Sequence, residues 1–154
     1  MKVKMYVAAL IAAFVCSMSS VAQSQWNNKG DNIVGEYLTD RGGSKSKVRV
    51  TKMANGTYKA QVFWVEKPLD AKGNKRKDVK NPEKNLRNVD IDKVVLVEGL
   101  KYDAEDQEWG GAKIYDPSKG LRVNVSAEFI SAKKLKLRGT ILGIGTTLYW
   151  TKIK

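Results

Sequence analysis

The stretch Leu121 to Ile141, L-R-V-N-V-S-A-E-F-I-S-A-K-K-L-K-L-R-G-T-I, decides the fold class. Leu121, Val123, Val125, Ala127 and Phe129 alternate with Arg122, Asn124, Ser126 and Glu128. Beyond a short break, Leu135, Leu137, Gly139 and Ile141 alternate with Lys134, Lys136, Arg138 and Thr140. A period of two belongs to a strand with one dry face and one wet face, not to a helix. Arg138, on the face opposite Leu135 and Leu137, is expected at the surface, or paired with a buried carboxylate if it points inward.

The same signal recurs outward from this pair. Ile33 to Thr39 reads as a first strand, ended by Asp40-Arg41-Gly42-Gly43, and Val48 and Val50 mark a second. Asn55-Gly56 signals a tight hairpin into a third, where Tyr58, Ala60, Val62 and Trp64 share one face. The opposite face of that strand becomes apolar at Phe63 and Val65. Val94 to Tyr102 and Glu108 to Tyr115 give the fourth and fifth, and Thr146 to Ile153 the last. No long helical pattern or internal repeat interrupts them. The expectation is an all-β domain: an antiparallel up-and-down barrel of about eight strands, whose closure removes exposed sheet edges.

The chain begins with Lys2 and Lys4, an apolar run from Met5 to Val15, and Ser20-Val21-Ala22 with small residues at the cleavage positions. This is the pattern of a secretory signal, and the run is short for a membrane span. Residues 1–22 are therefore expected to leave, with Cys16, from an exported protein of the periplasm or the exterior. Residues 23–32 read as a loosely held polar lead-in, and residues 33–154 as a single domain. The chain after Ala22 contains no cysteine or histidine. That removes disulfides, thiolate metal sites and every triad built on histidine, so no metal, no cofactor and no catalytic activity are expected.

The formal charge is +12, or +10 without Lys2 and Lys4. From Lys67 to Arg87 eight basic residues face three acidic ones, with almost no apolar content. A solvated loop is the plain reading; contact with an anionic envelope polymer or lipid headgroup is the functional one. No nucleic-acid-binding pattern accompanies the charge.

Trp109 to Gly120, W-G-G-A-K-I-Y-D-P-S-K-G, reads as a strand entered through a glycine pair and closed by a turn. Strict alternation puts Trp109 and Tyr115 on one face and Asp116 on the other. Trp64, Trp109, Tyr115 and Trp150 are either barrel core or the wall of a ligand cavity. Asp78, Asn81 and Asp116 lie beside turns, as Asx turns or as ligand contacts. Asp78, Asp116 and Arg138 would make an acid/base site only if the fold brought them together.

The ends of the chain resemble a lipocalin-like, or calycin, barrel. In those, a Gly-x-Trp on the first strand packs beside a basic residue of the last, which plugs one end. Here Gly35-Glu36-Tyr37 and Tyr149-Trp150-Thr151-Lys152 would supply Tyr37 and Lys152. Taken whole, the chain resembles the bacterial domain of unknown function 2147 family. The matching pieces are Ile33 to Thr39, Gln61 to Val65 with Pro68-Leu69-Asp70, Asp78, Asn81-Pro82, Leu86-Arg87, Gly99-Leu100, Trp109 to Gly120, Leu135 to Gly139 and Tyr149 to Lys152. The cysteine pair of many members is missing, and the hairpin at Gly143 to Thr146 is short. The resemblance implies a small exported envelope protein with a lipocalin-like barrel and supplies no ligand. The function expected is binding of a small amphipathic or lipidic ligand in the barrel, by way of Trp64, Asp78, Asn81, Trp109, Tyr115, Asp116, Arg138 and Trp150. The alternatives are an interaction protein using its basic loop, or a carboxylate-based enzyme.

Overall fold

The computed structural model describes residues 25–141 and 143–154; the expected signal segment, with Cys16, lies outside the described residues. Eight strands follow one another: β1 Gly35–Arg41, β2 Ser44–Lys52, β3 Tyr58–Val65, β4 Val95–Asp103, β5 Glu108–Asp116, β6 Leu121–Ser131, β7 Lys134–Ile141 and β8 Ile144–Lys152. Each pairs antiparallel with its sequence neighbour, and β1 closes on β8 through Tyr37↔Lys152, Leu38↔Thr151 and Thr39↔Trp150. The result is the closed up-and-down barrel that the alternation implies. The β2–β3 connection is longer than a two-residue turn: Lys52 pairs with Tyr58, and the Asn55 side chain accepts from the Thr57 amide.

One end of the barrel is filled with aromatic rings. Tyr37 packs tilted against Trp150 at 5.9 Å, and Trp109 meets Phe129 edge-on at 5.8 Å. Lys152 enters this layer with its ammonium 5.9 Å from the Tyr37 ring and donates to the Asn32 carbonyl. Burial holds the Lys152 pKa below its usual value. The cation-and-ring plug of the calycin pattern is therefore present, with tyrosine and lysine in the two roles.

From Asn27 onward the lead-in before β1 is held in place, not loose. A 3-10 turn, Gly30–Ile33, lies across this end with Ile33 buried. Asn27 is buried too: its amide donates to the Phe129 carbonyl and its oxygen accepts from the Phe129 N–H. Trp109 Nε1 donates to the Gly30 carbonyl, and the Tyr37 and Tyr102 hydroxyls donate to the carbonyls of Ile33 and Asn27. A polar segment can close an apolar barrel because the ring heteroatoms satisfy its backbone.

Two bulges change which way side chains point. Along β5, Trp109 pairs with Ala127 and Ala112 with Val125, three residues on one strand against two on the other. The extra residue lies in Gly110-Gly111, where Gly111 has φ 71°, open to glycine at little cost. Along β3, Lys47 pairs with Trp64 and Val48 with Val62, leaving Phe63 extra. Alternation thus reverses at both places. Val65 turns inward and is buried, whereas Trp64 faces out and is 39% exposed. Ala112, Ile114 and Asp116 take Trp109's inward face, and Tyr115 the outer one. Both face assignments made by strict alternation are corrected.

Candidate functional site

The hairpin tips of β1–β2, β5–β6 and β7–β8 and the long β3–β4 connection surround the other end, the mouth. Inward-facing side chains lose their rings and become wetter toward it. On β8 the sequence runs from buried Trp150 through half-buried Leu148 to exposed Thr146 and Ile144, the last 76% exposed. On β7, Leu135 and Leu137 give way to Gly139, and on β6, Phe129 and Ala127 give way to Val125, half-buried Val123 and exposed Leu121. A Cβ at Gly139 would come within 2.9 Å of Val123 Cγ2, so the glycine lets the neighbouring strand's side chain lie across it. Ala112 of β5 is also half-buried beside this wall.

Arg41 and Asp116 meet across the mouth. Arg41 follows Tyr37 and Thr39 on the inward face of β1; Asp116 follows Ile114 on that of β5. In a ring of eight, β1 and β5 stand opposite each other. The guanidinium grips the carboxylate through both oxygens, at 2.9 and 3.0 Å. Burial opposes the Asp116 charge, but the Ser118 and Arg41 hydrogen bonds outweigh it and hold the carboxyl below its ordinary range. This bar divides the mouth. The β6–β8 half keeps the exposed apolar wall; in the β2–β4 half, Val65 and Val97 are buried.

Asp78, Asn81 and Tyr115 come together outside the barrel wall. Tyr115 donates to Asp78 Oδ1 at 2.8 Å, and Asn81 Nδ2 to Oδ2 at 2.7 Å. Asp78 is only 2% exposed, and the Asp78 N–H donates to the Val89 carbonyl. Burial, then the Asp78 hydrogen bond, push the Tyr115 phenol far above its usual pKa. Arg122 lies 5.0 Å from the Tyr115 ring and pairs with Glu83. This network fastens the β3–β4 connection onto β5 and β6. Lys80 reinforces it by donating to the Ser118 carbonyl, and its own carbonyl sits where a Cβ on Gly120 would be, 2.3 Å away.

The remaining candidates fall elsewhere. Trp109 and Trp150 are in the packed end, and Trp64 is on the outer face of β3. Arg138 is exposed on the outer face of β7, beside Gly145, and has no ion pair among the described residues. Asp78, Asp116 and Arg138 are not assembled: Asp78 lies against the outside of β5, and Asp116 points to its inside. Arg41 was missed by the sequence reading as a site residue, since Asp40-Arg41-Gly42-Gly43 signals only a turn. Much of the basic loop is engaged internally. Lys75 and Lys77 pair with Asp90, Arg76 donates to the Lys67 carbonyl, and Arg87 to that of Asn81.

Residues 35–152 match the family model described as an uncharacterized protein conserved in bacteria, DUF2147. The chain belongs to this family. A solved structure of the Helicobacter pylori protein HP1028, described as belonging to the lipocalin family, is similar to it with a TM-score of 0.60 and 26% identity. The likeness covers 79% of this chain and 82% of that one. No curated protein matches. The stretch Trp109 to Gly120, which carries the DUF2147 resemblance best, supplies parts to three places in this barrel: Trp109 to the plug, Asp116 to the bar, Tyr115 and Gly120 to the loop anchor.

Proposed function

We propose that this DUF2147 protein is a non-catalytic binding module of the bacterial envelope, exported by its N-terminal signal. Its ligand is small and amphipathic, and sits in the mouth rather than deep in the barrel. One observation carries the reading: Leu121, Val123, Ile144 and Leu148 face inward yet keep contact with solvent on the β6–β8 side. Apolar walls left wet beside a few placed polar groups are the usual make-up of a small-molecule site. Arg41 and Asp116 border the same space, ready to orient a polar head. The lipocalin-like fold agrees with this reading, and the aromatic plug limits how far a ligand can descend.

Leu148→Trp tests it by filling the cup. The probe is 1-anilinonaphthalene-8-sulfonate, which joins apolar rings to a charged group. Wild-type protein should brighten the probe, and the variant should bind it at least tenfold more weakly. Because the site is half open, the added ring should cost about 1 kcal/mol of stability or less, measured by urea unfolding. Equal probe binding by the two proteins would sink the proposal.

A further inference from the structure

The outer face of β2 and β3 carries a second feature, independent of the mouth. Lys47, Arg49 and Thr51 point outward from β2, and Lys59, Gln61, Phe63 and Trp64 from β3. Alternate residues place cations about 7 Å apart along a strand. Two of these cations are held over rings: Lys47 lies 5.2 Å from the Trp64 centroid, and Arg49 4.4 Å from that of Phe63. The bulge at Phe63 is what brings both aromatic residues to this face. Beside them is a cleft of about 410 Å³ lined by Arg49, Lys59, Gln61, Phe63, Asp92 and Lys93. It lies outside the barrel wall.

The groups in this cleft are unequally satisfied. Arg49 is partly neutralised by Glu36 at 2.8 Å, and Gln61 donates to the Lys93 carbonyl. Lys93 is 4.0 Å from Asp90, whose carboxylate already holds Lys75 and Lys77, so its ammonium is largely free. Lys47 and Lys59 have no ion pair among the described residues. Asp92 Oδ1 is buried and accepts no hydrogen bond there. That atom lies beneath the surface, so the cleft itself offers spare cations and aromatic side chains.

We propose that this face binds an acidic polysaccharide. Its acid groups would meet Lys47, Lys59 and Lys93, and its sugar rings would lie against Trp64 and Phe63. A phosphatidylglycerol layer would use the cations but bring no sugar ring to Trp64 and Phe63, and a neutral glycan would leave the cations unused. The basic stretch Lys67–Arg87 is not required: Lys75 and Lys77 pair with Asp90, and Arg76, Lys80 and Arg87 donate to backbone carbonyls.

The test uses polygalacturonate oligosaccharides, with dextran as the neutral counterpart, titrated into the full domain by calorimetry at low and high salt. Wild-type protein should bind polygalacturonate, weaken as salt rises, and ignore dextran. Trp64→Ala and the double change Lys47→Ala, Lys59→Ala should each weaken binding about tenfold or more with unchanged thermal unfolding. Leu148→Trp should bind as wild type does, which separates this surface from the mouth. Absence of binding at low salt overturns the proposal. So does unchanged binding by the Trp64 variant, loss only with Lys75→Ala and Lys77→Ala, or binding to phosphatidylglycerol vesicles without binding to polygalacturonate.

Discussion

The two ends of this barrel are made from the same eight strands, yet only one is filled with aromatic rings. At the plugged end the inward positions hold Tyr37, Trp109, Phe129 and Trp150; toward the mouth they hold small residues such as Thr39, Ala112 and Gly139 beside aliphatic and charged ones, Val65, Ile114, Leu121, Leu148, Arg41 and Asp116. An eight-stranded barrel is just wide enough for side chains to fill or for one small ligand to occupy. Large rings achieve the first; at the mouth the side chains are aliphatic or polar, and those of β6 and β8 reach solvent. The period-two pattern defines a strand's inner face, whereas side-chain volume along that face decides where the barrel is solid. Stability should therefore come from one end and ligand binding from the other.

The most severe way to test that division is to remove a ring from the packed end. Trp109 is fully buried, contacts Tyr102 and Phe129, and holds the lead-in through Gly30. Trp109→Ala should cost about 3–5 kcal/mol, read as a fall in the urea midpoint. Trp64→Ala, on the outer face, should shift it by about 0.5 kcal/mol or less. Similar losses from both would mean that the packed end does not dominate.

A smaller effect is expected where the β3–β4 connection is anchored. Asp78→Asn keeps the shape but turns one acceptor into a donor, which must face either the Tyr115 hydroxyl or the Asn81 amide. The expected cost is about 1–3 kcal/mol. Limited proteolysis should then cut between residues 66 and 94 faster than in wild type. A loop equally protected in the variant would show that Asp78 does not fasten it.

How much of this was legible depends on local rules. The strands and barrel closure followed from alternation, because each strand buries one face. The faces of Tyr115 and Asp116 did not, because a single extra residue reverses everything after it. Gly110-Gly111 is a readable trace of that bulge, since glycine inside a strand marks such places. The bulge at Phe63 left a weaker one: apolar residues on both faces at the end of β3. Asp78 and Asn81 were visible as turn residues, but their shared carboxyl depends on a tyrosine from a distant strand, and no local rule supplies that. Nor does local sequence announce that Arg41 faces Asp116, because that pairing arises only when the ring closes.

The Arg41–Asp116 bar gives the finest test of the comparison, since it belongs to the open end and should add little. Its geometry is bidentate, but Arg41 is partly exposed, so at neutral pH Asp116→Asn should cost less than about 1 kcal/mol. The sign with pH follows from the lowered carboxyl. A group more acidic folded than unfolded contributes above its unfolded pKa, near about 4, and that contribution fades as pH falls through the folded value. Wild type and Asp116→Asn should therefore differ slightly at pH 7 and converge as acid takes the pH below the unfolded carboxyl range, in urea unfolding. In the variant, the side-chain amide oxygen at this position can still accept from the Ser118 N–H, so the turn itself should persist. If the variant instead lost several kcal/mol at pH 7, the mouth would be braced by its polar bar as firmly as the other end is by its rings. The division between a stabilising end and a binding end would then fail.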